Sequence, residues 1–474
     1  MTGQRASETA PEPPRPNTLP PGFLWGAATS AFQIEGDAEH RGQSIWDALC
    51  AQPGRIADAS DGSVACDHVT RYAEDVSLLR RLGVGAYRFS IAWPRVLPEG
   101  TGIPSAEGLG FYDRLVDALL EAGIDPWVTL YHWDLPLPLH EAGGWPDRAV
   151  ADWFTDYAVA VHAALGDRVR NWATVNEPWC SAWLGYGSGV HAPGERDRAR
   201  AARASHHLLL AHGRAVTAMR AQAPADHQFG IVLNLFGVRP ADGVDLVAAP
   251  RVAAAAQLMD GLQNRWWLGA LFGSGYPDDV VDLLAADLDG VVREGDLDEI
   301  AAPLDFLGVN YYRDELLEPG DNPADEGDGA YPGTRGVRTA EAGEDGMSNG
   351  WAVTPDGLRT MLLRIGQDYP DAPPLFVTEN GAAYDDTAQA LSGDGPVEDP
   401  LRVAYLRAHV DATARAVAEG ADVRGYFTWS LLDNFEWAEG FTQRFGLIRV
   451  DPETRDRRVR RSFEVYRELI AGKG

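Results

Sequence analysis

The chain has 474 residues, 45% hydrophobic and 23% charged, which is globular composition with ample apolar side chains for a large core. Its 41 Lys and Arg face 70 Asp and Glu, a net charge of −29, which excludes nucleic acid and anionic membranes as expected partners because both would be repelled. The single lysine, Lys473, excludes a P-loop, a protein kinase and pyridoxal or Schiff-base chemistry, each of which needs a lysine inside the fold.

Residues 1–21 carry prolines at 11, 13, 14, 16, 20 and 21 and read as a disordered tail. They lack the apolar stretch of a signal peptide, so a cytoplasmic location is expected. Residues 22–474 are expected to form one catalytic domain. Its predicted strands are 23–32, 86–93, 126–132, 171–176, 229–236, 305–312, 374–378 and 423–429. They are dense in Val, Ile, Leu, Phe, Trp and Tyr, as strands buried on both faces should be. Candidate amphipathic helices between them are 68–81, 109–121, 148–165, 198–220, 357–368 and 401–419. Several stop near glycine, at Gly83, Gly123, Gly166 and Gly420.

Eight strands with helical crossovers predict a single (β/α)8 TIM barrel with elaborated loops at its C-terminal face. A doubly wound sheet is the alternative, but it wants a Gly-x-Gly-x-x-Gly after an early strand, and none stands there. Residues 313–349 are rich in Gly, Pro, Asp and Glu and read as a solvated loop after the sixth strand. No stretch approaches the roughly 18 apolar residues of a membrane span. Cys50, Cys66 and Cys180 form no CxxC pair and no zinc spacing, so reduced thiols are expected. His206, His207 and His212 lie on a predicted helix without carboxylates at ligand spacing and read as helix surface or packing. No metal or organic cofactor is implied.

In a barrel, polar residues at the C-terminal strand ends are the catalytic candidates. Here those ends carry Gln33, Arg88, His132, Asn176 with Glu177, Asn310 with Tyr312, Glu379 with Asn380, and Trp429. An isolated strand-end glutamate is as often a helix cap or an ion-pair partner. Glu177 and Glu379 each directly end an apolar run, and Asn, His, Gln and Trp occupy the other ends. Paired carboxylates with hydroxyl-binding groups and aromatic platforms are what glycoside hydrolysis needs.

The motifs that carry a family likeness are Phe-Leu-Trp-Gly-Ala-Ala-Thr-Ser-Ala-Phe-Gln-Ile-Glu-Gly (23–36), Tyr-Arg-Phe-Ser-Ile-Ala-Trp-Pro-Arg (87–95), Leu-Tyr-His-Trp-Asp-Leu-Pro (130–136), Thr-Val-Asn-Glu-Pro-Trp (174–179), Gly-Val-Asn-Tyr-Tyr (308–312), Val-Thr-Glu-Asn-Gly (377–381) and Thr-Trp-Ser-Leu-Leu-Asp-Asn-Phe-Glu-Trp (428–437). With these, in this order, the chain resembles the family 1 glycoside hydrolases, the β-glucosidase family, over about residues 22–470.

The resemblance implies a retaining β-glycosidase, foremost a β-glucosidase that also accepts galactosyl or fucosyl groups. Glu379 matches the nucleophile and Glu177 the general acid/base, with carboxyl groups about 5–5.5 Å apart. Arg88 and Tyr312 match residues that favour the anionic form of Glu379, whose charge in turn raises the pKa of Glu177. When Glu379 becomes an ester that charge vanishes, and Glu177 turns into a base. Gln33, His132, Trp133, Asn176, Asn310, Glu436 and Trp437 match sugar-binding residues. Trp429 matches the platform beneath the ring, and Trp351 a tryptophan on the leaving-group side.

Glu436 would repel a 6-phosphate, favouring unphosphorylated sugars. The expected partners are small β-glycosides or short oligosaccharides, bound by a monomer or a homo-oligomer. Asp37 to Arg41 and Leu137-Pro138 depart from the family pattern and are expected to alter loops near the pocket mouth. A transglycosylase, a non-catalytic sugar-binding barrel and an oxidoreductase on a doubly wound sheet are the competing readings. The second predicts loss of one carboxylate, and the third lacks its glycine fingerprint.

Overall fold

The structure is a computed structural model that describes residues 19–245, 247–320, 329–343, 346–392 and 395–472. The expected tail lies outside the described residues up to position 18, as does Lys473.

Eight strands close into a parallel barrel: β1 (Leu24–Ala28), β2 (Ala86–Ser90), β3 (Asp125–Tyr131), β4 (Asn171–Asn176), β5 (Gln228–Asn234), β7 (Phe306–Asn310), β10 (Leu375–Asn380) and β11 (Val423–Trp429). Five short strands lie outside it. They are β6 (Val238–Pro240), β8 (Glu315–Pro319), β9 (Val337–Thr339), β12 (Ile448–Val450) and β13 (Arg457–Val459). Each predicted barrel strand is present; 171–176 and 423–429 keep their expected ends, and the other six are shifted. The first stops at Ala28 rather than Phe32. Beyond Ala28 the neighbour β11 ends, the chain turns away from β2 with Ala31 N donating to Ser90 Oγ (2.7 Å), and Ala31–Ile34 form a helical turn that carries Gln33. The second stops at Ser90, and Pro94 sits in the first turn of the short helix Trp93–Val96, where its missing N–H does no harm. β10 runs two residues further than expected, so Glu379 and Asn380 belong to the strand itself.

The helices follow the apolar periodicity. Ser105 caps Ala106–Glu121 by accepting from Gly108 N, and Asp197 caps Arg198–Arg220 by accepting from Arg200 N. Gly83 and Gly420 take left-handed backbone where helices end, whereas Gly166 stays right-handed. The C-terminal helix Arg461–Ile470 packs across the barrel wall, with the Tyr466 hydroxyl donating to Gly26 O (2.8 Å) and Tyr426 O (3.1 Å).

The 313–349 region is not wholly loop. β8 pairs parallel to β6 and antiparallel to β9, making a three-stranded sheet over the catalytic end. Its strands are three to five residues long, too short for the composition to announce them. No described helix is long and apolar enough to cross a membrane.

The barrel interior is layered. The Trp127 ring packs 5.1, 4.8 and 5.3 Å from the rings of Phe306, Phe376 and Phe427, sealing the floor. Two residues further along their strands, Arg88 follows Ala86, Thr129 follows Trp127 and Thr378 follows Phe376. Period-two alternation therefore sets a polar layer directly on the aromatic one.

Candidate active site

A cavity of about 410 Å³ opens above that polar layer. Glu177, Glu379, His132, Trp133, Asn310, Tyr312, Trp351, Trp429, Glu436 and Trp437 line it, so ten of the thirteen sequence candidates share one space. Gln33, Arg88 and Asn176 lie just beneath its surface, fully or almost fully buried.

Glu379 is held from two sides. Arg88 Nη1 donates to Oε1 at 2.6 Å, and the Tyr312 hydroxyl donates to Oε2 at 2.6 Å. The β10 register slips against β7 between Val377 and Glu379. That irregularity lets consecutive side chains reach inward: Thr378 Oγ1 donates to Asn310 Oδ1 (2.8 Å) while Glu379 meets Arg88. Two residues beyond Glu379 the chain carries glycine for a steric reason. A Cβ on Gly381 would overlap the Trp429 carbonyl oxygen.

Glu177 sits one residue past β4 with φ of 47°, in left-handed backbone. Trp133 (77°) and Trp437 (53°) on the same cavity wall share that region. Each such residue costs about 1–2 kcal/mol, and the surrounding packing holds it there. Asn310 Nδ2 donates to Glu177 Oε1 at 2.7 Å and to Asn176 Oδ1 at 3.1 Å. Arg88 Nη2 donates to the same Asn176 oxygen at 2.6 Å. A continuous chain, Glu177–Asn310–Asn176–Arg88–Glu379, thus ties the two carboxyl groups together. Both Asn310 amide N–H bonds are taken up by protein partners, and its Oδ1 accepts from Thr378 Oγ1, so it positions these groups.

Burial pushes the Glu177 carboxyl up to about 8, and the charge of Glu379 pushes the same way. Burial also raises Glu379 above the ordinary carboxylate range, while Arg88, Tyr312 and Asn310 act against the rise. The arginine and the tyrosine are visible in the family motifs, whereas the burial that opposes them is a property of the folded chain. Glu379 is still the stronger acid of the pair, because it alone touches a cation. The Glu436 carboxyl is likewise pushed up to about 8 by burial and then by Glu379 and Glu177.

The remaining candidates divide by what they touch. Gln33 Nε2 donates to Asn434 Oδ1 (2.9 Å), Phe435 O (2.9 Å) and Glu436 Oε2 (3.4 Å), so it buttresses Glu436. Burial, and then the Arg88 charge, hold His132 well below the usual histidine range, which leaves the ring neutral. Its ring stacks near Trp429 at 5.8 Å and 15°. Trp133 uses its indole N–H on Asn176 O (2.9 Å) and gives the cavity shape rather than a donor. Trp351 lies under the Arg313 guanidinium at 4.2 Å.

Several lining residues escaped the sequence reading: Trp179, Cys180, Asn234, Phe236, Arg313 and Tyr331. Asn234 had a signal, as a polar residue closing an apolar strand. Tyr331 had none, lying in an aperiodic segment; its ring stacks on Trp179 at 4.9 Å. The departures at Asp37 to Arg41 and Leu137-Pro138 are not among the residues that line the cavity. Asp37 pairs with Arg95 and Arg41 with Asp47, and Leu137 starts a short helix. The three histidines are packing residues. His206 meets Asp296 (2.9 Å) and the Tyr276 hydroxyl (2.8 Å), His207 meets Trp145 O (3.0 Å), and His212 meets Thr174 Oγ1 (2.6 Å).

The family model "Glycosyl hydrolase family 1" matches residues 15–474. Beta-glucosidase A of Thermotoga maritima is 42% identical over 460 residues, covering 96% of this chain and 98% of the relative. Its structure with deoxynojirimycin superposes with a TM-score of 0.88 over 96% of this chain and 99% of that one. A bifunctional beta-D-glucosidase/beta-D-fucosidase of Bifidobacterium breve is 44% identical over 470 residues, 96% of this chain and 98% of the relative. The psychrophilic beta-glucosidase BglU of Micrococcus antarcticus, 44% identical, superposes with a TM-score of 0.90 over 96% of this chain and 98% of that one.

Proposed function

The chain belongs to glycosyl hydrolase family 1, and on that premise we propose that it is a retaining β-glucosidase that also accepts β-fucosides and β-galactosides. The observation that carries this reading is the asymmetry of the two glutamates. One is clamped by a cation and a phenol. The other shares the same cavity with a carboxyl pushed up to about 8.

In the first step Glu379 attacks the anomeric carbon and the glycosidic C–O bond breaks. The proton on Glu177 goes to the leaving oxygen, and a glycosyl ester forms on Glu379. Esterification removes the Glu379 charge that helped keep Glu177 protonated. The Glu177 carboxyl then takes a proton from water, the water oxygen bonds to the anomeric carbon, and the ester C–O bond breaks.

Glu436, supported by Gln33, faces the sugar hydroxyls with His132, and Trp429 underlies the ring. Trp351, Arg313, Phe236, Trp179 and Tyr331 form the leaving-group side. Five carboxyl side chains line the cavity, Glu177, Glu315, Glu379, Glu436 and Glu439, against one guanidinium, Arg313, which is paired with Glu315. With that cation committed, a phosphorylated glycone is disfavoured. Residues 22–474 act as one catalytic unit on small β-glycosides. Three free cysteines support a reducing, cytoplasmic setting.

The test is a set of initial rates on 4-nitrophenyl β-glucoside, β-galactoside, β-fucoside, β-xyloside, α-glucoside and β-glucoside 6-phosphate, beside Glu177→Gln and Glu379→Gln. Fast β-glucoside turnover that Glu379→Gln abolishes is expected. Turnover of the 6-phosphate alone, or of the α-glucoside, overturns the reading.

A further inference from the structure

The two carboxyl oxygens of Glu177 have different neighbours. Oε1 accepts from Asn310 Nδ2 at 2.7 Å, and Oε2 faces the Cys180 thiol, with Sγ 3.2 Å away. The Asn310 amide cannot turn round. Its Oδ1 accepts from Thr378 Oγ1, and its Nδ2 also donates to Asn176 Oδ1. Arg88, a pure donor, holds that Asn176 oxygen in place from the other side. An N–H therefore faces Glu177 Oε1 in every protonation state.

A fixed donor favours the carbonyl-like oxygen of a carboxylic acid as its acceptor, which leaves the acidic proton to Oε2. The neighbour of Oε2 is a thiol, a weak donor and a weak acceptor. Asn234 Nδ2, on β5, donates to the same sulfur at 3.5 Å. Burial keeps the Cys180 thiol well above its usual range, so it stays protonated.

We propose that Asn310 and Cys180 sort the two oxygens of the acid/base: Asn310 keeps Oε1 an acceptor throughout, and Cys180 attends Oε2, the oxygen that carries the transferred proton. The thiol donates to Oε2 when Glu177 is the anion and releases it when Glu177 is protonated. A hydroxyl there would grip the anion too firmly, and a methyl would leave it without a donor. Both are positioning residues. The inference rests on the acid/base role of Glu177 given above. The charged and titratable groups around Glu177, besides Cys180, are Glu379, Tyr312, Glu436, Glu439, His132, His191 and Tyr331 in the same cavity, Arg88 below, and Arg313 with Glu315 on the leaving-group side.

The experiment compares kcat/KM against pH for the wild type, Cys180→Ala and Cys180→Ser, with thermal melts to confirm folding. The protonated form of Glu177 is the active acid, so the alkaline limb follows its titration. Cys180→Ala removes a donor from the anion and is expected to move that limb up by about half a pH unit; Cys180→Ser supplies a stronger donor and moves it down by about as much. The rate change is expected with an alkyl β-glucoside, whose leaving group needs the proton. With 2,4-dinitrophenyl β-glucoside, which needs none, it stays within about twofold.

Limbs that coincide in all three proteins, that move the same way in both variants, or equal losses on both substrates overturn the proposal. If the folded wild type turns over no β-glucoside, the functional reading fails instead. The Glu177 carbonyl infrared band, identified by its loss in Glu177→Gln, then reads the same titration and the same opposed shifts.

Discussion

Replacing Arg88 by methionine keeps the length of the side chain and removes the cation that touches Glu379. The lost contacts are Nη1 to Glu379 Oε1 (2.6 Å), Nη2 to Asn176 Oδ1 (2.6 Å) and Nε to Thr129 Oγ1 (3.0 Å). With charge centres roughly 4 Å apart and an effective dielectric near 20, the interaction is worth about 4 kcal/mol, or about three pKa units. Tyr312 remains and recovers part of the loss. The acid limb of kcat/KM, which reports ionisation of the nucleophile, should therefore rise by about two pH units, and on that limb the rate at a given pH should fall by up to about 100-fold. Arg88→Lys keeps the charge, but one ammonium cannot span Glu379, Asn176 and Thr129, so it should fall between wild type and methionine. The assay is kcat/KM on 4-nitrophenyl β-glucoside from pH 4 to 9, with near-UV circular dichroism to confirm native packing. A folded Arg88→Met enzyme whose acid limb has not moved would refute the electrostatic argument.

Three further outcomes follow from the same contacts. Tyr312→Phe deletes one 2.6 Å hydrogen bond to the Glu379 carboxylate and should lower kcat/KM by about 10- to 100-fold, measured by initial rates. Glu177 has a folded pKa raised to about 8, so its favourable contribution is present at low pH and is lost as pH rises toward 8. Thermal melts should accordingly show Glu177→Gln gaining stability over wild type between about pH 5 and 8, and a gap that narrows with rising pH would contradict the burial argument. Gly381→Ala forces a methyl into the Trp429 carbonyl and should give a melting temperature lower by at least several degrees, together with loss of activity as Glu379 shifts.

The barrel was legible because its strands are apolar on both faces and its helices keep a 3.6-residue period. The strand ends were not, because they depend on where a neighbour stops: nothing local to Ser30 and Ala31 announces that β1 has lost its neighbour β11. The two glutamates were legible as polar breaks at the ends of apolar runs, and most of the other cavity-lining candidates through the family motifs. Chemistry arranged in three dimensions was harder to see. Asn310 reads as a sugar ligand in sequence, and only the folded chain shows that its amide also links Asn176, Glu177 and Thr378. Cys180, three residues after Glu177, reads as an inert thiol until the turn of chain brings its sulfur to Oε2. Tyr331 lines the cavity from a segment with no periodicity, held by stacking on Trp179 and by its hydroxyl donating to Gln263 Oε1 (2.6 Å).

The most direct test of the account is to trap the ester. Wild-type enzyme is incubated with 2,4-dinitrophenyl 2-deoxy-2-fluoro-β-glucoside, and its mass and peptide map are recorded. The fluorine slows both steps and the dinitrophenolate leaves readily, so the first step outruns the second. One fluoroglucosyl unit on the peptide containing Glu379, and none in Glu379→Gln, is the predicted result. An adduct on another residue, or no adduct together with α-glucose as the first product of a β-glucoside, would contradict it.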